Sequence, residues 1–366
     1  MKVFMLANPV AVHTQKWVKS LSDRGINILL YSFRPYKEEG FYKNMENAEV
    51  RGFTKERNAR GIKSFFLFKL FWYYIPLVWD IKRQIRAYKP DLVHSHCISD
   101  NGLFGVLSGF HPLLVSVWGT DIFVYPSKSG IRKRIIRFIL KRTDHILSTS
   151  HVMAEETRKY TSRKIEITPF GVDVSLFRQL EKKPDGVFTV GIVKTLEYGY
   201  GIDVLIDAFA LFRKKYAETS MKLRVVGDGS LRGKLEKQAE DSGVGDDIIF
   251  EGRVPNHELP IILNDFDVFV ALSRSESFGV AIVEAMACQC PVIVSDAPGF
   301  VEIVEDGING LIVPRENVAA AAEAMERLFL DDRLRLALGT SGRERVEKMY
   351  DWQKNVDTMI ALYQQV

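Results

Sequence analysis

Short runs of β-branched and apolar residues alternate along the chain with longer stretches whose apolar positions recur at helical spacing. That alternation is the pattern of a parallel sheet covered by helices. In the first half it predicts strands at 2–8, 26–33, 91–97, 112–118, 145–150 and 165–169, with helices between them, among them 14–24 and 131–142. The rhythm breaks at Pro169-Phe-Gly-Val-Asp173, and Glu181-Lys-Lys-Pro-Asp-Gly186 is polar and turn-rich, so an inter-domain linker is expected there. Strands are predicted again at 188–194, 223–228, 248–251, 268–273, 291–295 and 310–313. The expected fold class is α/β, with two Rossmann-like, doubly wound domains. Open sheets bind ligands beyond the carboxyl ends of their strands, so the two are expected to face each other across one cleft. The first domain is expected over 1–172 and the second over 186–350, with a C-terminal helix at about 352–366 packing back on the first.

Length agrees with two domains, because 366 residues exceed the ~100–200 of a typical single core. The composition, 46% hydrophobic and 26% charged without a low-complexity tract, is that of an ordinary folded chain. A formal charge of +4 is too small to point to nucleic acid, and no nucleic-acid partner is expected. Its distribution says more. Arg132, Lys133, Arg134, Arg137, Lys141 and Arg142 crowd one amphipathic stretch, 131–142, whose plain role is a solvated helix face and whose functional role is contact with anionic lipid.

The aromatic run from Ser64 to Ile81 is interrupted by Lys69, Pro76 and Asp80, which argues against a spanning helix; core packing or an interfacial segment remain. The three cysteines, Cys97, Cys288 and Cys290, are odd in number and lack zinc spacing, so free thiols in a reducing compartment are expected. The N-terminus runs straight into a strand pattern without a signal-peptide core. The expected location is cytoplasmic, at or near the inner face of the cell membrane.

The chemistry concentrates in Ser273-Arg-Ser-Glu-Ser-Phe-Gly-Val-Ala-Ile-Val-Glu-Ala-Met-Ala287. A strand ends, a small-residue loop follows, and a helix is predicted to begin near Phe278 or Gly279. Free N–H groups at a helix start form an anion site, and a glycine lets a phosphate approach. Glu276 precedes the helix. Glu284 lies two turns further in an apolar run, where an acid is costly unless paired or bound. Capping accounts equally well for acids at this position.

Glu276 and Glu284 enclose seven residues, and this segment resembles the signature of retaining glycosyltransferases of family 4, which have the GT-B fold. Landmarks along nearly the whole chain carry the same resemblance. They include Asp91-Leu-Val-His-Ser-His96, Val117-Trp-Gly-Thr-Asp121, Val226-Gly-Asp-Gly229, Phe250-Glu-Gly-Arg-Val254 and Asn309-Gly-Leu-Ile-Val-Pro314. The resemblance implies that Glu284 accepts hydrogen bonds from the nucleotide ribose and Glu276 from the donor sugar. It places Ser277, Phe278 and Gly279 near sugar and phosphate, with Gly227, Arg253 and Val254 also on the donor side. Lys194 would lie against the diphosphate, offsetting charge on the leaving group, and Asp121 stands as a catalytic candidate beside a cap or turn role.

Two positions depart from the family pattern. Tyr200 stands where a second basic residue is usual, so either the loop is aligned differently or Arg253, or an arginine elsewhere, compensates; Trp118 stands where a histidine is usual. Indole donates a single hydrogen bond, so Trp118 suits a stacking surface for a sugar. Gln289 replaces a usual glycine. On the acceptor side the candidates are His13, Thr14 and His96, with capping as the plain role of Thr14. His94 and His96 point the same way on one strand but lack further ligands, so no metal site is expected.

The implied activity is transfer of a sugar, UDP-sugar foremost, from a nucleotide-sugar donor to a glycan or lipid-linked acceptor in cell-surface polysaccharide synthesis. No D-x-D element of the kind that metal-dependent transferases use is found, so metal-independent transfer without a cofactor is expected. Other GT-B enzymes, a sugar-nucleotide epimerase or a phosphorylase, and a non-catalytic sugar-nucleotide-binding subunit are the alternatives. A dehydrogenase is rejected, because Gly227-Asp-Gly-Ser-Leu-Arg-Gly233 is one residue too long for the dinucleotide fingerprint.

Overall fold

A computed structural model describes residues 1–36, 40–54, 73–181 and 186–366. The chain divides into two compact units, Met1–Pro169 with Val356–Val366, and Phe170–Asn355.

The first unit is built on β1 (Lys2–Leu6), β2 (Asn27–Ser32), β3 (Ala48–Gly52), β4 (Leu92–His96), β5 (Leu113–Val117), β6 (His145–Ser148) and β7 (Ile165–Ile167), in the order β3-β2-β1-β4-β5-β6-β7. All neighbours are parallel. Strands β4 and β5 are buried at every position; β5 therefore reads as a near-continuous apolar run, whereas β4 also buries the polar His94, Ser95 and His96. The edge strand β3, Ala-Glu-Val-Arg-Gly, was not predicted. None of its residues is fully buried, so it carries neither periodicity nor an apolar run. The helices expected at 14–24 and 131–142 form as Val12–Asp23 and Gly130–Arg142. Ser129 starts the second of these, its hydroxyl accepting from the Arg132 amide at 3.3 Å.

The second unit carries β8 (Phe188–Val193), β9 (Met221–Val226), β10 (Ile248–Gly252), β11 (Val268–Ala271), β12 (Val292–Ser295) and β13 (Leu311–Val313), ordered β10-β9-β8-β11-β12-β13 and again parallel. Strand order therefore reverses between β1 and β4 in the first sheet and between β8 and β11 in the second. Crevices at such reversals are where doubly wound sheets take ligands.

The division at 169 falls short of the expected 172, for a local reason. Val172 donates to the Tyr350 carbonyl and accepts from the Trp352 amide, each at 2.9 Å, so residues 170–172 belong with the second unit. The helix Trp352–Gln364 begins in the second unit and ends in the first. Its far end is held there by the Tyr363 hydroxyl, 2.6 Å from His94 Nδ1, and by an ion pair between Asp357 and Arg24.

Of the aromatic run, residues 65–72 lie outside the described residues. Tyr73 is buried, donating its hydroxyl to the Phe33 carbonyl, and Tyr74 stacks on Phe104 with centroids 5.9 Å apart. Among the described residues no helix is long and apolar enough to cross a membrane. All three cysteines are free thiols. Burial and the neighbouring Glu284 carboxylate push the Cys288 thiol up to about 12, which leaves it a packed, unreactive group.

Candidate functional site

The loops leaving β8 and β11, on either side of the strand reversal, bring together the residues singled out in the second unit. Lys194 follows β8, and its ammonium lies 2.5 Å from Glu276 Oε2 in the loop after β11. Both side chains are largely shielded, at 20% and 12% exposed. The Tyr200 ring covers the same ammonium, with Nζ 4.3 Å from its centroid. The position that departs from the family's second base thus supplies a cation–π face to the first.

The loop holding Glu276 is fixed from several sides. Arg274 forms a bidentate pair with Asp203 at 2.8 and 2.9 Å, bonds the Tyr198 carbonyl at 2.7 Å and stacks on the Tyr198 ring at 3.9 Å. The Asp203 carboxylate and that of Glu316, 3.0 Å from Arg274 Nε, hold its guanidinium well above the ordinary arginine range. The Gly299 amide donates to the Glu276 carbonyl at 3.0 Å, and Ser295 Oγ to the Ser273 carbonyl at 2.6 Å. Glu276 is therefore presented by a tied loop rather than by a free one.

The helix Val280–Ala287 starts one residue later than expected, with Gly279 as its N-cap in the left-handed region at φ 105°. Among the described residues nothing accepts from the amides of Phe278 or Gly279. They are the orphan donors of a helix start. The Phe278 ring is core, edge-on to Phe170 and Tyr350, so only its backbone faces the site. Ser277, half-buried, donates its amide to Glu276 Oε1 at 3.2 Å.

Glu284 lies within this helix at 9% exposure, and Asn256 Nδ2 donates to its Oε1 at 3.1 Å. Asn256 escaped the sequence reading because a single polar residue in a turn carries no pattern. Gly227, ending β9, holds φ 137°, and a Cβ there would stand 1.9 Å from the Lys194 carbonyl oxygen. Only glycine lets the β8 and β9 ends close on each other. Val254 is half-buried just past β10, and Arg253 is exposed with no ion-pair partner among the described residues. No direct contact joins Arg253 to Lys194, so its compensating role gains no support from geometry. Gln289 adopts φ 60°, a left-handed conformation that glycine adopts at less cost and hence the usual residue there.

The first-unit candidates converge at the ends of β1, β4 and β5. Trp118 lies between His96, at 4.6 Å between centroids, and His13, at 6.0 Å. His96 packs on His94 at 4.6 Å, as their shared face on β4 predicted. Burial lowers His94 to about 3 and His13 to about 4, and drives His96 well below its ordinary value. This cluster is neutral at physiological pH. His94 is fully engaged, by Tyr363 and by Ser116 Oγ at 2.8 Å, whereas His96 Nδ1 is buried without a partner.

Two expectations change here. Thr14 is not a cap: the helix begins at Val12 after Ala11, and Thr14 Oγ1 is buried and unpaired within the first turn. Asp121, proposed as catalytic, spends its carboxylate on backbone amides, accepting from Gly119 at 2.7 Å, Ile98 at 2.9 Å and Trp118 at 3.2 Å. Burial still raises its pKa, with those amides acting in the opposite sense. Its geometry is that of a clamp joining the β4 and β5 loops, and it positions Trp118. Among the described residues no group of three or more metal-ligating side chains occurs.

Comparison with known proteins adds to this geometry. A family model for group 1 glycosyl transferases matches residues 173–345, and one described as glycosyl transferase 4-like matches 2–150. An uncharacterized glycosyltransferase of Methanocaldococcus jannaschii is 27% identical over 98% of this chain and 94% of its own. The N-acetyl-alpha-D-glucosaminyl L-malate synthase of Bacillus anthracis is 23% identical over 95% of this chain and 91% of its own. Among solved structures, Anabaena HepE in complex with UDP superposes with a TM-score of 0.81 at 19% identity, covering all of both chains. Sucrose-phosphate synthase of Thermosynechococcus elongatus gives 0.80 at 20% identity, over 100% and 98%.

Proposed function

We propose that this chain, a member of glycosyltransferase family 4 with the GT-B fold that acts on a nucleotide sugar, takes a UDP-sugar as donor and transfers it with retention of the anomeric configuration. The observation that carries this reading is the Lys194–Glu276 pair at the β8/β11 reversal, beside the unpaired amides of Phe278 and Gly279. Cleaving a sugar–phosphate bond puts negative charge on the departing diphosphate, where a shielded cation and preorganised amides stabilise it. Glu276 accepts sugar hydroxyls, and Glu284, oriented by Asn256, accepts ribose hydroxyls. The acceptor hydroxyl attacks from the face the diphosphate leaves, and its proton passes to the departing phosphate oxygen.

In this reading Lys194 and the amides supply the charge stabilisation that a divalent ion gives metal-dependent transferases. Transfer in excess chelator should therefore match transfer without it. The UDP held by HepE in its solved complexes supports the choice of nucleotide. The direct test is a screen of nucleotide sugars by thermal shift and nucleotide release. Stabilisation and turnover by guanosine donors alone would replace UDP, and release with inversion would end the retaining assignment.

The acceptor we propose is a glycan or lipid-linked saccharide of cell-surface polysaccharide synthesis, met at a membrane surface. A Bacillus subtilis relative, 26% identical over 77% of this chain and 72% of its own, is named for teichuronic acid biosynthesis. The helix Gly130–Arg142 supports the membrane half of the proposal. Lys133, Arg134, Arg137, Lys141 and Arg142 are exposed together with Ile131 at 69% and Phe138 at 37%. Cations flanking exposed apolar side chains suit an anionic lipid surface. Flotation with vesicles containing anionic lipid, lost in an Arg134→Glu/Arg137→Glu variant, is the expected result; no flotation at low salt overturns it.

A further inference from the structure

The first unit contains a cavity of about 470 Å³ at the carboxyl ends of β1, β2 and β4. It opens at the reversal of strand order between β1 and β4, where doubly wound sheets take ligands, and its size falls within the ~300–1,000 Å³ of small-molecule sites. None of the expected acceptor-side residues, His13, Thr14 or His96, lines it.

Its lining divides into two chemistries. One wall is aromatic and rigid: Phe33 meets Phe104 edge-on at 4.9 Å, Tyr74 stacks on Phe104 at 5.9 Å, and Tyr73 is edge-on to Tyr74 at 5.5 Å. Such faces are apolar and carry partial negative charge, which suits the C–H face of a pyranose. The rest is polar. Asn101 donates its amide to the His96 carbonyl, which fixes the side chain and leaves Oδ1 as an acceptor. Asp100 lies beside it at the start of the helix Asp100–Ser108, a second acceptor for hydroxyls. Arg34, just past β2, is exposed and has no acidic partner among the described residues. A guanidinium fork lining a cavity of this size matches a planar carboxylate or a phosphate.

We propose that this cavity binds a sugar ring bearing an anionic group, a uronate or a sugar phosphate. The ring packs on the Phe33–Phe104–Tyr74 wall, its hydroxyls donate to Asp100 and Asn101, and its anion pairs with Arg34. Naming this ligand as the acceptor rests on the transfer reading above; its chemistry rests on the cavity alone.

Calorimetric titration of the full chain with glucuronate, glucose 6-phosphate, glucose and inorganic phosphate tests the proposal, with UDP titrated in parallel. Glucuronate or glucose 6-phosphate should bind on the order of tenfold more tightly than glucose and than inorganic phosphate. Arg34→Gln should erase that margin while leaving UDP affinity unchanged, and Asn101→Ala should weaken all the sugars. Equal affinity for glucose and both acidic sugars overturns it. So does inorganic phosphate binding as tightly as the sugar phosphate, or an Arg34→Gln variant indistinguishable from the parent. Loss of UDP binding with the acidic sugars still bound would refute the donor reading and leave the cavity assignment standing.

Discussion

Two sheets of the same winding end in opposite chemistry. At the β8/β11 reversal the second unit presents an ammonium 2.5 Å from a carboxylate, capped by a tyrosine ring. At the β1/β4 reversal and its flank the first unit presents two buried histidines, a tryptophan and a half-buried histidine, held neutral by desolvation. Topology accounts for where each unit can receive a ligand. Only the residues at the strand ends account for what kind. A diphosphate needs fixed positive charge and free amides, whereas aromatic faces beside neutral histidines, with a few oriented polar atoms and one exposed guanidinium, suit a saccharide.

The contrast breaks most sharply at the charged end. Glu276→Ala and Lys194→Ala should each cut transfer by roughly 10²–10³-fold, the usual loss when one preorganised charge contact is removed. Nucleotide release with the parent donor measures this, with circular dichroism confirming the fold; normal turnover in both variants would sink the assignment.

Binding separates from chemistry at Glu284, eight residues further along. Glu284→Ala should weaken UDP by on the order of tenfold to a hundredfold, since it removes hydrogen bonds to a charged acceptor. Calorimetry with UDP alone gives the answer, and unchanged affinity would place the ribose elsewhere.

The closure of the charged loop onto the sheet can be probed without touching a charge. In Gly227→Ala the new methyl meets the Lys194 carbonyl at φ 137°, a strain of about 1–3 kcal/mol. Denaturant midpoints should fall by that amount, with transfer reduced because Lys194 is displaced; a variant as stable and active as the parent would mean the loop accommodates the group.

The neutral end predicts the pH response. His94 has a folded pKa of about 3, below the ordinary 6.5. Its contribution is therefore complete above pH 6.5 and is lost as pH falls from 6.5 toward 3, because the unfolded chain takes the proton first. The loss is at most ~1.4 kcal/mol per pH unit for one histidine. His94→Gln, which can still bond Tyr363 and Ser116, should flatten the fall in first-unit stability between pH 6.5 and 5. Urea titrations with identical slopes for parent and variant would remove His94 as the source.

Much of this was legible in the chain itself. Apolar periodicity located the β/α rhythm, because each element must bury its own face and writes that requirement locally. The spacing of Glu276 and Glu284 across a loop and helix start likewise marked the donor half, since capping, glycine and acid positions all lie within a dozen residues. What remained hidden depends on distant partners. Strand β3 is an edge with no buried face to impose a pattern. The ammonium that meets Glu276 lies 82 residues away, and the hydroxyl that meets His94 lies 269 away. Asp121 read equally as catalyst or turn until three amides were seen to converge on it. The aromatic cavity brings the ends of β1 and β2 together with that of β4, which lies far along the chain from both. Local sequence determines which faces must be buried and where a helix can begin. Which side chains then share one site, and whether their charges survive burial, is decided by long-range packing, which alone sets the distances and the desolvation.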